Sequence, residues 1–520
     1  MKRFDAIVIG AGHNGLVCAA YVGLAGLRAL VLERRDVVGG MAETSEILPG
    51  VRVPTLAHTV GRLSAKVGRD LRLRSHGLAF IEPSVRVFAP RPDGGATVLW
   101  GDANRTVAGL GADGTAYAAA DQTVREWASA LAELMARAPI DLAAPSVGDI
   151  FSGLRLRART PSADLLRVMP MAVRDLVGEW FKSDALQAAV AARGVLLSGL
   201  APRMPGTAGV LLTDLAGNDG GLAGQTVFAR GGPGAVSAAL AAAVRAAGGQ
   251  IRLGAAVTKV RRDGEQARGV TLESGEEIDA PIVVSNLDPR TTLLDLVDPE
   301  VLGPRLGWRA ANIRARGVTA KVNLALSDLP AFAATRGDAQ LLKGRVLIAP
   351  SMRYLDLAMR PAKFGAMAEQ PLLELTIPSL SDPSLVAPIG RGKAGKVKHV
   401  MSVIVQAVPY TSREIGDVVI STLEEYAPGV GALVIERQVI TPRDIERDYG
   451  ASGGHPMHAE VALDQFYAWR PLHGYGRYRM PLRGLYLAGA GAHPGGGLTG
   501  LPGRLAAQAV LDDRGRKVKA

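Results

Sequence analysis

Residues 6–15 read Ala-Ile-Val-Ile-Gly-Ala-Gly-His-Asn-Gly, and Glu33 stands 18 residues beyond Gly15. Phe4–Gly10 lacks the alternation of a half-solvated strand and predicts one buried on both faces. Leu16–Gly26, rich in alanine, predicts a helix packed closely on that sheet, and Arg28–Glu33 a second strand. Glycines at 10, 12 and 15, between strand and helix, form a dinucleotide-binding fingerprint. Gly10 permits the tight turn, Gly12 lets backbone approach a pyrophosphate, and Gly15 allows close helix–strand contact. His13 and Asn14 sit inside the fingerprint, where the helix N-terminus offers N–H groups and a positive dipole end to phosphates. Glu33 falls where a carboxylate accepts hydrogen bonds from ribose hydroxyls. It would repel a 2′-phosphate, which disfavours NADP.

The opposite end carries a second glycine-rich segment. Residues 485–503 read Leu-Tyr-Leu-Ala-Gly-Ala-Gly-Ala-His-Pro-Gly-Gly-Gly-Leu-Thr-Gly-Leu-Pro-Gly. They predict a strand over Gly484–Ala488, a loop, and a helix over Pro502–Leu511. Between the ends, Gly231-Gly232-Pro233-Gly234 precedes a helix over Ala235–Ala247. Short strands are expected within Gln250–Val260, at Val270–Leu272 and Ile278–Asn286, and at 318–326, 345–349, 372–377 and 397–408. Residues 50–80 read as a loop and then a helix. Ala118 to Ala138 and Ser162 to Leu200 read as helical, with a break at Pro170. The apolar face of Asp164–Trp180 suits packing between helices, the lining of a substrate tunnel or contact with lipid. Leu380–Lys398, rich in Pro, Gly and Lys, reads as a loop.

Glu33-Arg34-Arg35-Asp36-Val37-Val38-Gly39-Gly40 resembles the segment after the ribose-binding acid in the flavin amine oxidase and phytoene desaturase superfamily. The pattern there is Glu-x-Arg, three residues, then Gly-Gly, usually with Arg next. Arg35, Gly39 and Gly40 match, whereas Met41 occupies the arginine position, so one phosphate or substrate contact is missing or moved. Gly489 to Gly497 resembles the flavin-binding signature of phytoene desaturase-type enzymes. That resemblance implies FAD as cofactor, with Gly489, Ala490, Pro494, Gly495, Gly496, Gly497 and Leu498 near the ribityl chain and ring. It likewise places Arg34, Met41 and the backbone of Val257 at the cofactor, Val257 against adenine. Val283-Val284-Ser285-Asn286-x-Asp288-Pro289 looks like the middle cofactor segment of the same family.

His399-Val400-Met401-Ser402, Gln406, Pro409-Tyr410, Leu463-Asp464-Gln465, Arg470-Pro471 and Gly500-x-Pro502-Gly503-Arg504 resemble one branch, the pyridine nucleotide-disulfide oxidoreductase domain-containing protein 2 group. The resemblance covers most of the chain and is weakest over residues 85–225. The group's name does not transfer its chemistry. Cys18 is the single cysteine, and no second strand-borne Gly-x-Gly-x-x-Gly follows, so no built-in NAD(P)H domain is expected. The implied fold is α/β: a discontinuous Rossmann-like FAD-binding domain (1–75, 226–300 and 476–520) with an inserted mixed α+β substrate domain (76–225 and 301–475).

The implied activity is hydride transfer from a largely apolar substrate to flavin N5, with reoxidation by oxygen or a quinone. A flavin amine or amino-acid oxidase, a flavin isomerase, and a flavin-retaining interaction protein with little turnover stay open as alternatives. His493, within the flavin loop, is the best-placed titratable group for catalysis, with a packing role as its competitor. His58 reads as a structural histidine. His455 and His458 are three apart, but no carboxylate or cysteine cluster completes a metal site, so no metal is expected. Tyr467, Trp469, Tyr475 and Tyr478 either frame a substrate amine or pack in the core. Asp464 and Arg470 are expected to pair.

Composition bounds these readings. At 520 residues the chain needs two domains or more. Its net charge of +11 is dispersed, apart from the tail Arg514–Lys519 and the stretch Arg391–Lys398. Aromatics, at 5%, are not interleaved with the basic residues, which argues against nucleic-acid binding. One cysteine permits no internal disulfide, and Cys18 reads as a buried packing residue. No secretory signal and no apolar run of about 20 residues is visible. A cytoplasmic setting is expected. Peripheral membrane contact and oligomeric state stay open.

Overall fold

The computed structural model describes residues 4–142, 162–217, 220–387, 392–412 and 414–518. The fingerprint folds as strand β1 (Ala6–Ile9), helix α1 (His13–Leu24) and strand β2 (Ala29–Leu32). All eight strand residues are buried, as their unbroken apolar run requires. These strands join β3 (Gln250–Arg252), β4 (Val283–Ser285) and β5 (Leu485–Leu487) in a five-stranded parallel sheet ordered β5-β4-β1-β2-β3. Segments more than 450 residues apart in sequence thus lie one strand away from direct pairing. Helix α1 packs between two later helices, α2 (Gly234–Ala246) and α3 (Leu501–Asp513). Small residues allow this: a Cβ on Gly23 would stand 2.8 Å from the Ala247 carbonyl, and one on Gly503 would collide with the Asn14 carbonyl. An antiparallel sheet of Val257–Asp263, Gln266–Leu272 and Glu277–Asp279 covers one end.

The second unit is built on a seven-stranded sheet. Its order is Val434–Ile440, Thr319–Leu326, His399–Gln406, Leu373–Thr376, Arg345–Ile348, Val85–Pro90 and Ala96–Trp100. All neighbours are antiparallel except Arg345–Ile348 and Val85–Pro90. Helices Gly114–Met135, Val173–Trp180, Asp184–Ala191 and Thr207–Leu215 share a core with part of this sheet. The helix starting at Ser162 ends at Val168, before Pro170. Val168, Leu176 and Val177 are buried in that core, and Trp180 lies 6.0 Å from Trp127, so this apolar face packs between helices.

Two elements differ from the sequence reading. Thr44–Leu48 and Val51–Pro54 form a hairpin where residues 50–54 read as loop, and Val51 and Val53 join a small core with Ala325, Leu385 and Val400. The Asp464–Arg470 pair does not form. Asp464 accepts two bonds from Arg314, both at 2.7 Å, while buried Arg470 donates to the carbonyls of Met457, Glu460 and Ala490. Carbonyls clustered by the turn between Met457 and Gln465 out-compete a distant carboxylate.

Candidate active site

Two cavities meet at the junction of the units. The first, about 910 Å³, runs along the C-terminal edge of the parallel sheet. Gly10, Gly12, His13, Asn14, Glu33, Arg34, Arg35, Gly39, Gly40, Met41, Val257 and Ala490 line it. Gly10 adopts φ +91, which a side chain would strain. The start of α1 has no side-chain cap, so its first N–H groups face the cavity free for an anion. His13 Nε2, Asn14 Oδ1 and His458 Nδ1 are buried without partners, and burial and neighbouring His458 lower the His13 pKa to about 4. Glu33 is held by two backbone donors, Ala11 N at 2.8 Å and Arg35 N at 3.0 Å. Arg35 lines the same cavity, pairs with Glu43 at 2.9 Å and lies over the Tyr449 ring, and its buried Nη1 has no partner. Uncapped helix N–H groups, a bare glycine turn and a fixed carboxylate fit the adenosine diphosphate half of FAD.

Gly12 tests that fit. A Cβ there would lie 2.6 Å from Asn286 Nδ2 and project beside the uncapped helix start. Gly12→Val is expected to weaken FAD binding roughly 5- to 150-fold, from an overpacking cost of ~1–3 kcal/mol. Flavin stoichiometry and release followed by fluorescence would show it; unchanged retention would refute the fit.

The second cavity, about 1150 Å³, shares His13, Met41, Pro456 and Ala490 with the first, so the two are continuous. Gly496, Gly497 and Leu498 form part of its wall, opposite strand Thr319–Leu326. Leu56, Ala57, Leu196, Leu197, Ile404 and Ile445 make the lining largely apolar. One end is strongly polar. Arg193 donates to Asp214 Oδ2 at 2.8 and 2.5 Å and to Glu374 Oε2 at 2.8 Å. Arg345 donates to the same Glu374 oxygen at 3.0 Å, and His58 Nε2 lies 3.3 Å from Glu374 Oε1. Burial pushes the Glu374 carboxyl up, but Arg193, Arg345 and His58 outweigh it and hold the group well below the carboxylate range. Burial lowers His58 to about 4, aided by Lys321 and opposed by Glu374. The imidazole is therefore neutral, and because a carboxylate only accepts, its proton sits on Nε2 and Nδ1 keeps its lone pair. Lys321 is buried, donates to the Leu56 carbonyl at 2.8 Å, and is pushed well below the usual lysine range by burial.

Sequence reasoning missed Lys321, Arg193, Asp214 and Glu374. One signal existed. Thr319, Lys321 and Asn323 alternate with Ala320, Val322 and Leu324, which lie in the core. That period of two marks a strand face reserved for polar work; Lys321 and Asn323 reach the carbonyls of Leu56 and Thr55.

Other expected residues lie behind the walls. A Cβ on Gly15 would collide with the Gly10 carbonyl, and one on Gly489 would stand 2.7 Å from two carbonyls of the Asn286–Leu287 turn. These glycines, with Pro494 and Gly495, support the turns without lining either cavity. His493 is corrected as the catalytic candidate. It is fully buried, lines neither cavity, and its ring meets the edge of Tyr467 at 5.3 Å. Burial lowers its pKa to about 3 although the carbonyls of Arg137, Met135 and Leu134 face it, so it packs as a neutral ring. Tyr467, Trp469, Tyr475 and Tyr478 also line neither cavity, and Tyr478 bonds the His493 carbonyl. Among the described residues no aromatic amine cage forms.

The architecture and the chain's relatives agree. Residues 8–69 match the NAD(P)-binding Rossmann-like domain family, and residues 196–353 match the flavin containing amine oxidoreductase family. The chain is 34% identical to the rat (Rattus norvegicus) pyridine nucleotide-disulfide oxidoreductase domain-containing protein 2, across 98% of this chain and 94% of that protein. The chain belongs to that family. It is an FAD-dependent oxidoreductase. A Paracoccus phytoene desaturase (lycopene-forming) is 27% identical over 98% of this chain and 97% of its own. A putrescine oxidase structure superposes with a TM-score of 0.62 at 17% identity, covering 99% of this chain and all of that one, and shares the fold. No helix among the described residues is long and apolar enough to cross a membrane.

Proposed function

We propose that this enzyme oxidises a C–H bond of a small molecule whose body is largely apolar. The supporting observation is the apolar cavity that runs from the loop Gly496–Leu498 to His58 and Lys321, both lowered by burial. FAD, when bound, supplies the two-electron acceptor. The first turn of α1 and Gly12 would hold its pyrophosphate, Glu33 its ribose, and the backbone at Val257 its adenine. The loop Gly496–Leu498, on the wall of the second cavity, would meet its reactive half. Leu56, Leu196, Leu197 and Ile404 exclude water and hold the apolar chain of the substrate. Removing hydride leaves a proton to be taken up, and Lys321 Nζ, on the cavity wall and held well below the usual lysine range by burial, is placed to accept it.

An anaerobic screen of apolar metabolites, following bleaching of the visible flavin band, tests this reading. The reduced protein is then mixed with oxygen or with a quinone to identify its oxidant. Protein that carries no flavin even after reconstitution with FAD would sink the reading. Lys321→Met should slow bleaching by roughly 100-fold, the usual scale for a lost acid–base group, while leaving FAD in place. An unchanged rate would remove Lys321 as the acceptor.

A further inference from the structure

We propose that the substrate is an apolar carboxylate and that Arg62 binds its carboxylate group beside the loop Gly496–Leu498. This deepens the function proposed above and rests on it. The first support is charge balance. Among the described residues at the polar end of the cavity, three guanidiniums (Arg62, Arg193 and Arg345) stand against two carboxylates, Asp214 and Glu374. Arg193 and Arg345 share Glu374, and Arg193 takes Asp214 Oδ2 with two bonds. Arg62 approaches Asp214 at only 3.8 Å. Its hydrogen bond is a single one, Nη2 to the Thr213 carbonyl at 2.9 Å, and its buried Nε has no partner. A guanidinium offers five N–H groups in a planar fork, and the group that matches such a fork within a surplus of positive charge is a carboxylate.

Position is the second support. Any side chain at Gly497 would collide with the Arg62 guanidinium, so the surplus charge lies against the flavin loop rather than at a distant wall. Leu56, Leu196, Leu197 and Ile404 extend from it as an apolar lining. A substrate ammonium would meet a wall of net positive charge there.

The third support is the mouth. A surface groove shares Gly61 and Gln225 with the cavity. Arg69, Arg72 and Arg74 line it, all exposed, against one carboxylate, Glu82, which lies 3.5 Å from Arg86. Unpaired cations at a mouth raise the local concentration of anions and speed their capture at low salt.

The test is binding of decanoate, decanol and decylamine to the purified holoenzyme, by equilibrium dialysis and by perturbation of the visible flavin spectrum. Flavin content is measured first, so absence of the cofactor, which would defeat the functional reading, is told apart from absence of ligand preference. Decanoate is expected to bind at least tenfold more tightly than either analogue, with a rate of association that falls as salt rises. Arg62→Gln should bring decanoate and decanol to parity, and Arg62→Lys should keep part of the preference; the flavin spectrum of each variant reports its folding. Equal binding of decanoate and decanol by the wild type would overturn the proposal. So would a preference that survives in Arg62→Gln, or an Arg62→Gln variant that shifts only the flavin potential, which would assign the cation to the cofactor.

Discussion

Glu374→Ala is expected to destabilise the protein by about 3 to 5 kcal/mol, the scale found when one member of a buried ion pair is removed. Glu374 is 4% exposed and joins Arg193, Arg345 and His58 in one network. Without it Arg193 keeps Asp214, but Arg345, 2% exposed, keeps only the Thr226 hydroxyl and the Ala223 carbonyl. A guanidinium buried without a counter-charge is the dominant loss, and it exceeds the packing lost with the side chain. If the chain unfolds as one unit, average unfolding entropies convert this to a Tm lower by roughly 3 to 5 °C. Glu374→Gln, which keeps hydrogen-bonding capacity without the charge, should fall between wild type and alanine. Calorimetry of the three proteins at pH 7.5 decides it; an alanine variant as stable as wild type would show that the network contributes no net stability.

The second large effect is acid destabilisation starting close to neutrality. His13 and His58 are lowered to about 4 and His455 and His493 to about 3, in each case chiefly by burial. An unfolded histidine titrates near 6.5. Below that value the unfolded chain binds protons that the folded one refuses, so stability is present above pH 6.5 and is lost as pH falls toward the folded values. Each group then contributes a loss of about 1.2 kcal/mol between pH 7 and 5.5, and the four together about 5 kcal/mol. His458 shifts in the same direction and adds to the trend. Glu374 does not oppose it: its folded value is depressed, so its contribution persists until pH falls below the carboxylate range. Unfolding temperatures measured from pH 7.5 to 5.5 should therefore decline steadily, and His58→Gln should flatten the slope by about a quarter. A Tm independent of pH over that interval would show that these rings titrate normally in the folded protein.

The cofactor half of the protein was legible because its information is local. Gly10, Gly12 and Gly15 specify a turn, a close approach and a helix contact within ten residues, and in the structure all three are tightly packed, against Asn286 and the Gly10 carbonyl. Unbroken apolar runs at Ala6–Ile9 and Ala29–Leu32 announced strands buried on both faces. His493 misled for the same reason. Proximity in sequence to the glycine loop suggested proximity to the reacting atoms, whereas the chain turns the ring away, into the carbonyls at the end of helix Gly114–Met135.

By itself the sequence determined the nucleotide-binding sheet, through short spacings that dictate backbone geometry, and its resemblance to a known family implied FAD. Tertiary structure alone decided the substrate wall. His58 meets Glu374 across 316 positions, Arg193 meets it across 181 and Arg345 across 29, and no period or motif links these residues along the chain. Ion pairs of this kind arise only when packing removes their partners from water. A lysine in an apolar strand or an arginine in a loop therefore carries no visible role until the fold brings its counter-charges, or leaves part of the guanidinium unpartnered, as at Arg62.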